Sequence, residues 1–170
     1  MNNTVENSSL GKTVRYVGQY DAGLLFPITR ADKRLEMGID GTLPFTGVDI
    51  WNSYEFSWLD ARGKPKVALV EFRFPANTTH IIESKSFKLY LNSYMQTRFA
   101  DTDNLRQQLV QDLSQAAGGA VSVTLISLSG SNTAEMEVLD GILVDDLPIE
   151  VEHYGPPNAT FLKADDLEVV

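Results

Sequence analysis

Along residues 48–58 apolar and polar side chains alternate: Val48, Ile50, Tyr54, Phe56 and Trp58 share one parity, and Asp49, Ser53, Glu55 and Ser57 the other. A period of two predicts a half-buried β-strand, with Tyr54, Phe56 and Trp58 on its core side. Asp60-Ala61-Arg62-Gly63-Lys64-Pro65 is turn chemistry, and the next run, Val67 to Phe74, is rich in β-branched and aromatic residues before Pro75. A second strand returning antiparallel to the first is expected. The period then changes. Phe87, Tyr90, Leu91, Tyr94 and Met95 recur at i, i+3, i+4, i+7 and i+8, which predicts a helix from about Ser86 to Gln96. Asp101 or Thr102 caps a second helix, with Leu105, Leu109, Val110, Leu113, Ala116 and Ala117 as its stripe and Gly118-Gly119 as its stop. Alternation resumes at Val121, Val123 and Leu125. After a turn at Ser129-Gly130-Ser131-Asn132 it returns at Ala134, Met136 and Val138.

The predicted order is ββααββ, an α+β fold in which a four-stranded antiparallel sheet carries two helices packed on one face. Residues 1–45 mix polar residues, glycines and short apolar pieces, and read as an N-terminal arm. Residues 46–146 form the folded module. Residues 147–170 are acidic and contain Pro156 and Pro157, as a linker or surface arm would.

Composition narrows the function classes. The 170 residues are 43% hydrophobic, enough for one real core. A net charge of −9 argues against a surface that gathers nucleic acid by neutralising phosphates, so the expected partner is a small molecule or a protein. The absence of cysteine excludes disulfides, thiolate metal sites and thiol nucleophiles from these residues. With only His80 and His153, a histidine-rich metal site is not expected, and Asp145-Asp146 and Asp165-Asp166 lack calcium-loop spacing. The first residues show neither a basic n-region nor an apolar h-region, and no run reaches membrane-spanning length. The expectation is a cytoplasmic protein without a membrane partner.

One stretch concentrates chemistry: Glu83-Ser84-Lys85-Ser86-Phe87-Lys88-Leu89-Tyr90, at a predicted helix entrance. A carboxylate accepts two parallel N–H bonds from a guanine-like ring edge, and lysines beside a helix N-terminus suit phosphate. Each residue also has a plainer role. Acidic residues are favoured at helix starts by the dipole, Ser84 and Ser86 are capping types, and Lys85 and Lys88 are ordinary solvated helix residues.

This run, with Asn77-Thr78-Thr79-His80-Ile81-Ile82 before it and Gln96-Thr97-Arg98-Phe99 after it, resembles the signature of the NADPH-dependent 7-cyano-7-deazaguanine reductases of queuosine biosynthesis, a tRNA modification pathway. Tyr20-Asp21, Leu24-Leu25-Phe26-Pro27 with Arg30, Leu43-Pro44-Phe45, Tyr54-Glu55-Phe56-Ser57-Trp58-Leu59 and Gln111-Asp112-Leu113-Ser114 are similar to the long, two-module form. The resemblance implies the tunnelling fold, and a nitrile reduced to a primary amine. It implies substrate contacts at Ile82, Glu83 and Ser84, and NADPH contacts at Ser84 and Lys85, with Lys88 a further candidate one turn on. In that family a cysteine captures the nitrile covalently, and the two-module enzymes carry it in the second module. This chain therefore has no catalytic residue of its own, is expected to be inactive alone, and takes as partners 7-cyano-7-deazaguanine, a missing C-terminal catalytic module, and further copies in a homo-oligomer. The alternative is a stand-alone, non-catalytic domain for purine or pterin binding or for subunit assembly.

Overall fold

The structure, a computed structural model, describes residues 17–128 and, beyond them, 140, 141, 143, 148, 150, 152, 154–156 and 158–161. The chain divides into two units, Met1–Thr133 and Ala134–Val170. In the second, a 3-10 turn at Ala159–Phe161 is entered through Asn158, whose Oδ1 accepts from the Thr160 amide at 3.0 Å.

In the first unit the predicted hairpin forms as β2 (Val48–Leu59) and β3 (Pro65–Pro75), and β5 (Ser122–Ser127) pairs antiparallel with the far side of β3. The helices are α2 (Ser84–Asn92) and α3 (Thr102–Ala117). The expected fourth strand, Ala134 to Val138, and the turn before it lie outside the described residues. Among the described residues the sheet has three strands, in the order β2-β3-β5. A second, two-stranded sheet was not anticipated: β1 (Pro27–Thr29) pairs with β4 (His80–Ile82), and β1 runs directly into α1 (Arg30–Glu36). Among the described residues the architecture is α+β, with three α-helices and two small antiparallel sheets.

The single-parity reading of β2 fails at a β-bulge. Ser53 faces Val70 but Phe56 faces Ala68, so β2 holds one residue more than β3 across that interval. Side chains switch faces there. Phe56 and Trp58 are buried as expected, whereas Tyr54 is 70% exposed and Val48 and Ile50 are exposed too. The core-facing aromatic before the bulge is Trp51, which meets Phe87 edge to face at 5.4 Å between ring centres. Phe72, Phe74 and Tyr90 complete the ring cluster about Phe87.

The motif helix also differs from its period. It starts at Ser84 because Glu83 caps it, and it stops at Asn92 rather than near Gln96. There Ser93 Oγ donates to the Tyr90 carbonyl at 2.6 Å and Thr97 Oγ1 donates to the Ser93 carbonyl at 3.0 Å. The amides of Tyr94 and Met95 bond three residues back, so the chain tightens out of the α-helix and leaves Met95 exposed.

The end of α3 follows the sequence closely. Gly118 takes the left-handed conformation (φ 65°, ψ 38°) and closes the helix. A Cβ there would stand 2.0 Å from Thr79 Oγ1, at the base of the loop leading into β4. Gly118→Ala is expected to cost about 2 kcal/mol, from left-handed strain plus displacement of Thr79. A lowered urea midpoint with an unchanged m-value measures it.

Candidate functional site

The sharp turn from β4 into α2 places the predicted residues side by side. Ile82 ends β4, is buried, and pairs with Pro27 of β1. Glu83 follows in extended conformation (φ −64°, ψ 133°) and is the N-cap of α2. Its Oε1 accepts from the Lys85 amide and its Oε2 from the Ser86 amide, both at 2.8 Å. Both carboxylate oxygens are thereby fixed, and Glu83 is only 5% exposed. Each oxygen retains acceptor capacity, since an ionised carboxylate offers about four lone-pair sites in all.

The backbone of Glu83 is pinned from the other side. Its amide donates to the Phe26 carbonyl at 2.9 Å, and the Phe26 amide donates to Ser86 Oγ at 3.1 Å. Ser86 Oγ in turn donates to the Glu83 carbonyl at 2.7 Å. Residues 20–36 therefore act as a strap over the motif. At its far end Arg30 donates through Nε to Thr78 Oγ1 and the His80 carbonyl, both at 3.2 Å, and pairs with Asp49.

Ser84 is exposed, Lys85 half-buried and Lys88 exposed, so hydroxyl and ammonium groups present themselves on the first turn and a half of α2. The capping of Glu83 decides what this turn offers an anion. The amides of Lys85 and Ser86 are already committed to the Glu83 carboxylate, so side chains supply much of what this turn can donate. Lys88 also lines a pocket of about 280 Å³ with Glu55, Leu91, Asn92 and Met95, beside the edge of β2. His80 lies in β4, its Nδ1 at 2.8 Å from Thr79 Oγ1. Among the described residues no group of three or more His, Cys, Asp or Glu is gathered as a metal would need, and no helix is long and apolar enough to cross a membrane.

Sequence reading missed a buried polar cluster behind the motif. Asp112 Oδ2 accepts from the hydroxyls of Tyr20 at 2.7 Å, Tyr90 at 2.8 Å and Tyr94 at 3.4 Å. The Tyr90 and Tyr94 hydroxyls lie 2.6 Å apart, and Gln108 Nε2 donates to Asp112 Oδ1 and to Tyr20 OH, both at 2.9 Å. Burial, with the Asp112 carboxylate added to it, pushes the pKa values of Tyr20, Tyr90 and Tyr94 well above the ordinary tyrosine value, so all three stay hydroxyl donors. A signal existed in the sequence: Asp112 falls at a core position of α3, between Leu109 and Leu113, where an aspartate breaks the apolar stripe.

The family model described as nitrile reductase, 7-cyano-7-deazaguanine-reductase N-term matches residues 16–125. The chain is 53% identical over 153 residues to the NADPH-dependent 7-cyano-7-deazaguanine reductase of Bordetella parapertussis, covering 90% of this chain and 56% of that protein. It is 52% identical over 167 residues to the reductase of the same name from Cupriavidus taiwanensis, covering 96% and 60%. With the Burkholderia lata protein of that name it shares 50% identity over 161 residues, covering 95% and 59%. The chain thus spans less than two thirds of the length of the curated relatives it matches.

Proposed function

The chain belongs to the nitrile reductase family, matching its 7-cyano-7-deazaguanine-reductase N-terminal part, and from that premise we propose that it holds the reactants in an NADPH-dependent reduction of 7-cyano-7-deazaguanine to the aminomethyl base, a step of queuosine biosynthesis. The observation that carries this reading is the Glu83 carboxylate, immobilised by two amides of its own helix and by the strap. A bidentate acceptor held in one orientation suits the adjacent ring N–H and exocyclic amine of a deazaguanine, and rejects analogues lacking them. Ile82 supplies an apolar neighbour and Ser84 a hydroxyl.

The donors of the first turn are chemically suited to a dinucleotide phosphate. The Ser84 hydroxyl and the Lys85 ammonium would hold NADPH there, and Lys88, three residues on and on the same helix face, extends the cationic strip. When bound, NADPH supplies hydride to the nitrile carbon. Covalent capture of the nitrile needs a nucleophile, and a chain without cysteine leaves that role to residues beyond these. The reading is thus of a binding half that turns over only when completed by a catalytic half.

Titration with 7-cyano-7-deazaguanine, followed by tryptophan fluorescence or calorimetry, tests this. Glu83→Gln keeps the size and part of the cap while removing the charge. It is expected to weaken binding roughly 10- to 100-fold, as loss of charge-assisted hydrogen bonds does. Equal affinity in wild type and Glu83→Gln, or no binding by wild type, would sink the proposal. NADPH oxidation by this chain alone should stay at background, and turnover would overturn the division of labour.

A further inference from the structure

We propose that Asp112 is a positioning residue for Glu83, acting through Tyr20 and the strap. The proposal rests on the reading of Glu83 as the substrate acceptor, and it concerns residues that never touch the base.

Asp112 grips the motif by two routes. The first runs along the strap. Tyr20 is anchored by its hydroxyl to Asp112 and by its amide to Thr97 Oγ1 at 3.0 Å. Asp21 then donates its amide to Ser93 Oγ at 3.2 Å, and its side chain caps the 3-10 turn Ala22–Leu24 by accepting from the Gly23 amide. Two residues after that turn comes Phe26, bonded to both Glu83 and Ser86. Phe26, whose carbonyl holds the Glu83 amide, lies only six positions after Tyr20, the residue anchored on Asp112. The second route runs along α2: Tyr90 lies seven residues, two helical turns, beyond Glu83 and donates to the same Asp112 oxygen, fixing the rotation of α2 against α3.

The chemistry explains why a carboxylate occupies this core position. Three hydroxyls converge on one side chain, and an ionised aspartate is a pure acceptor that takes them without presenting a donor of its own. A leucine, the type found at Leu105, Leu109 and Leu113, would fill the space without that cost of burial. What the aspartate adds is geometry. The strap is only partly buried, with Tyr20, Ala22, Leu24 and Leu25 packed at the margin of the core, and such segments open locally at lower free energy than the core itself.

Tyr20→Phe in the full chain tests the latch, with Tyr94→Phe as a matched control that removes a hydroxyl bonded to Tyr90 and Asp112 but not to the strap, and keeps the ring packed on Tyr20. Residue-resolved hydrogen exchange in the absence of ligand reads the amides of Phe26 and Glu83, which both donate across the boundary between strap and motif. In Tyr20→Phe they are expected to exchange about tenfold faster, while Val70 and Phe72 in mid-sheet keep wild-type rates. In Tyr94→Phe all four should keep wild-type rates. Unchanged exchange at Phe26 and Glu83 in Tyr20→Phe, acceleration shared with Val70 and Phe72, or equal acceleration in Tyr94→Phe would each overturn the proposal. A parallel titration with 7-cyano-7-deazaguanine separates the two readings. Wild-type chain that fails to bind removes the functional reading, yet the exchange result still decides whether the Tyr20 latch on Asp112, and on the Gln108 that Asp112 holds, positions Glu83.

Discussion

Asp112→Ala is expected to lower the unfolding free energy by about 3 kcal/mol, because it strands buried donors rather than merely deleting a contact. Tyr90 and Tyr94 are both 0% exposed, so bulk water does not reach their hydroxyls in the native packing. Their hydroxyls retain each other, which limits the loss, but two donors cannot both be satisfied by one mutual bond. Asp112→Asn should cost less, about 1–2 kcal/mol, since the amide keeps one acceptor while losing the charge. For a small domain with about 5–15 kcal/mol to lose, the alanine variant is a severe lesion. Denaturant titration of both variants gives the measurement. Two near-neutral results would show that the cluster contributes nothing to stability.

Alkaline pH should unfold the chain through the same cluster. Tyr90 and Tyr94 have folded-state pKa values raised mainly by burial, so the unfolded chain releases their protons first. The stability they confer is fully present below the ordinary tyrosine pKa, about 10, and is lost progressively as pH rises above it. While the unfolded tyrosine is ionised and the folded one is not, each contributes a slope of about 1.4 kcal/mol per pH unit, so the pair removes roughly 5 kcal/mol between about pH 10 and 12. Tyr20, raised for similar reasons, acts in the same direction. Circular dichroism followed with tyrosinate absorbance should show the last tyrosines ionising only as secondary structure is lost. Tyr90→Phe should reduce the slope by about one tyrosine's share. Ionisation of all six tyrosines in a chain that stays folded would contradict the assignment.

Local rules carried much of the architecture. The α3 boundaries were legible because Asp101 caps the helix, its side chain accepting from the Asn104 amide at 2.7 Å, and because Gly118 adopts a left-handed conformation that glycine, unlike other residues, enters without strain. The β2–β3 hairpin was legible because Gly63, at φ 81°, and the Asp60 side chain close the turn between two strongly patterned runs. Glu83 was legible as a chemical outlier at a helix start, but its cap and its proposed ligand contact were not separable there. Capping and ligand acceptance use the same carboxylate, and only coordinates show the caps in place.

The strap illustrates the other side. Leu24, Leu25, Phe26 and Pro27 carry no period of either kind, so residues 17–36 offered no element to name, yet they contain β1 and α1 and hold the motif. Their order comes from partners far along the chain, such as Ser86 for Phe26 and Asp112 for Tyr20.

By itself the sequence determined where β2, β3, β5 and α3 lie, that Glu83 to Lys88 begins a helix, and the family to which these residues belong. Those properties depend on side chains a few positions apart, whose period, caps and motif are written consecutively. Only the tertiary structure decided which face of β2 turns inward, since one extra residue at a bulge reverses it without disturbing the alternation on either side. It alone also decided that the buried aspartate of α3, Asp112, meets three tyrosines, because a buried hydrogen-bond network is satisfied by proximity in space, to which local periodicity is blind.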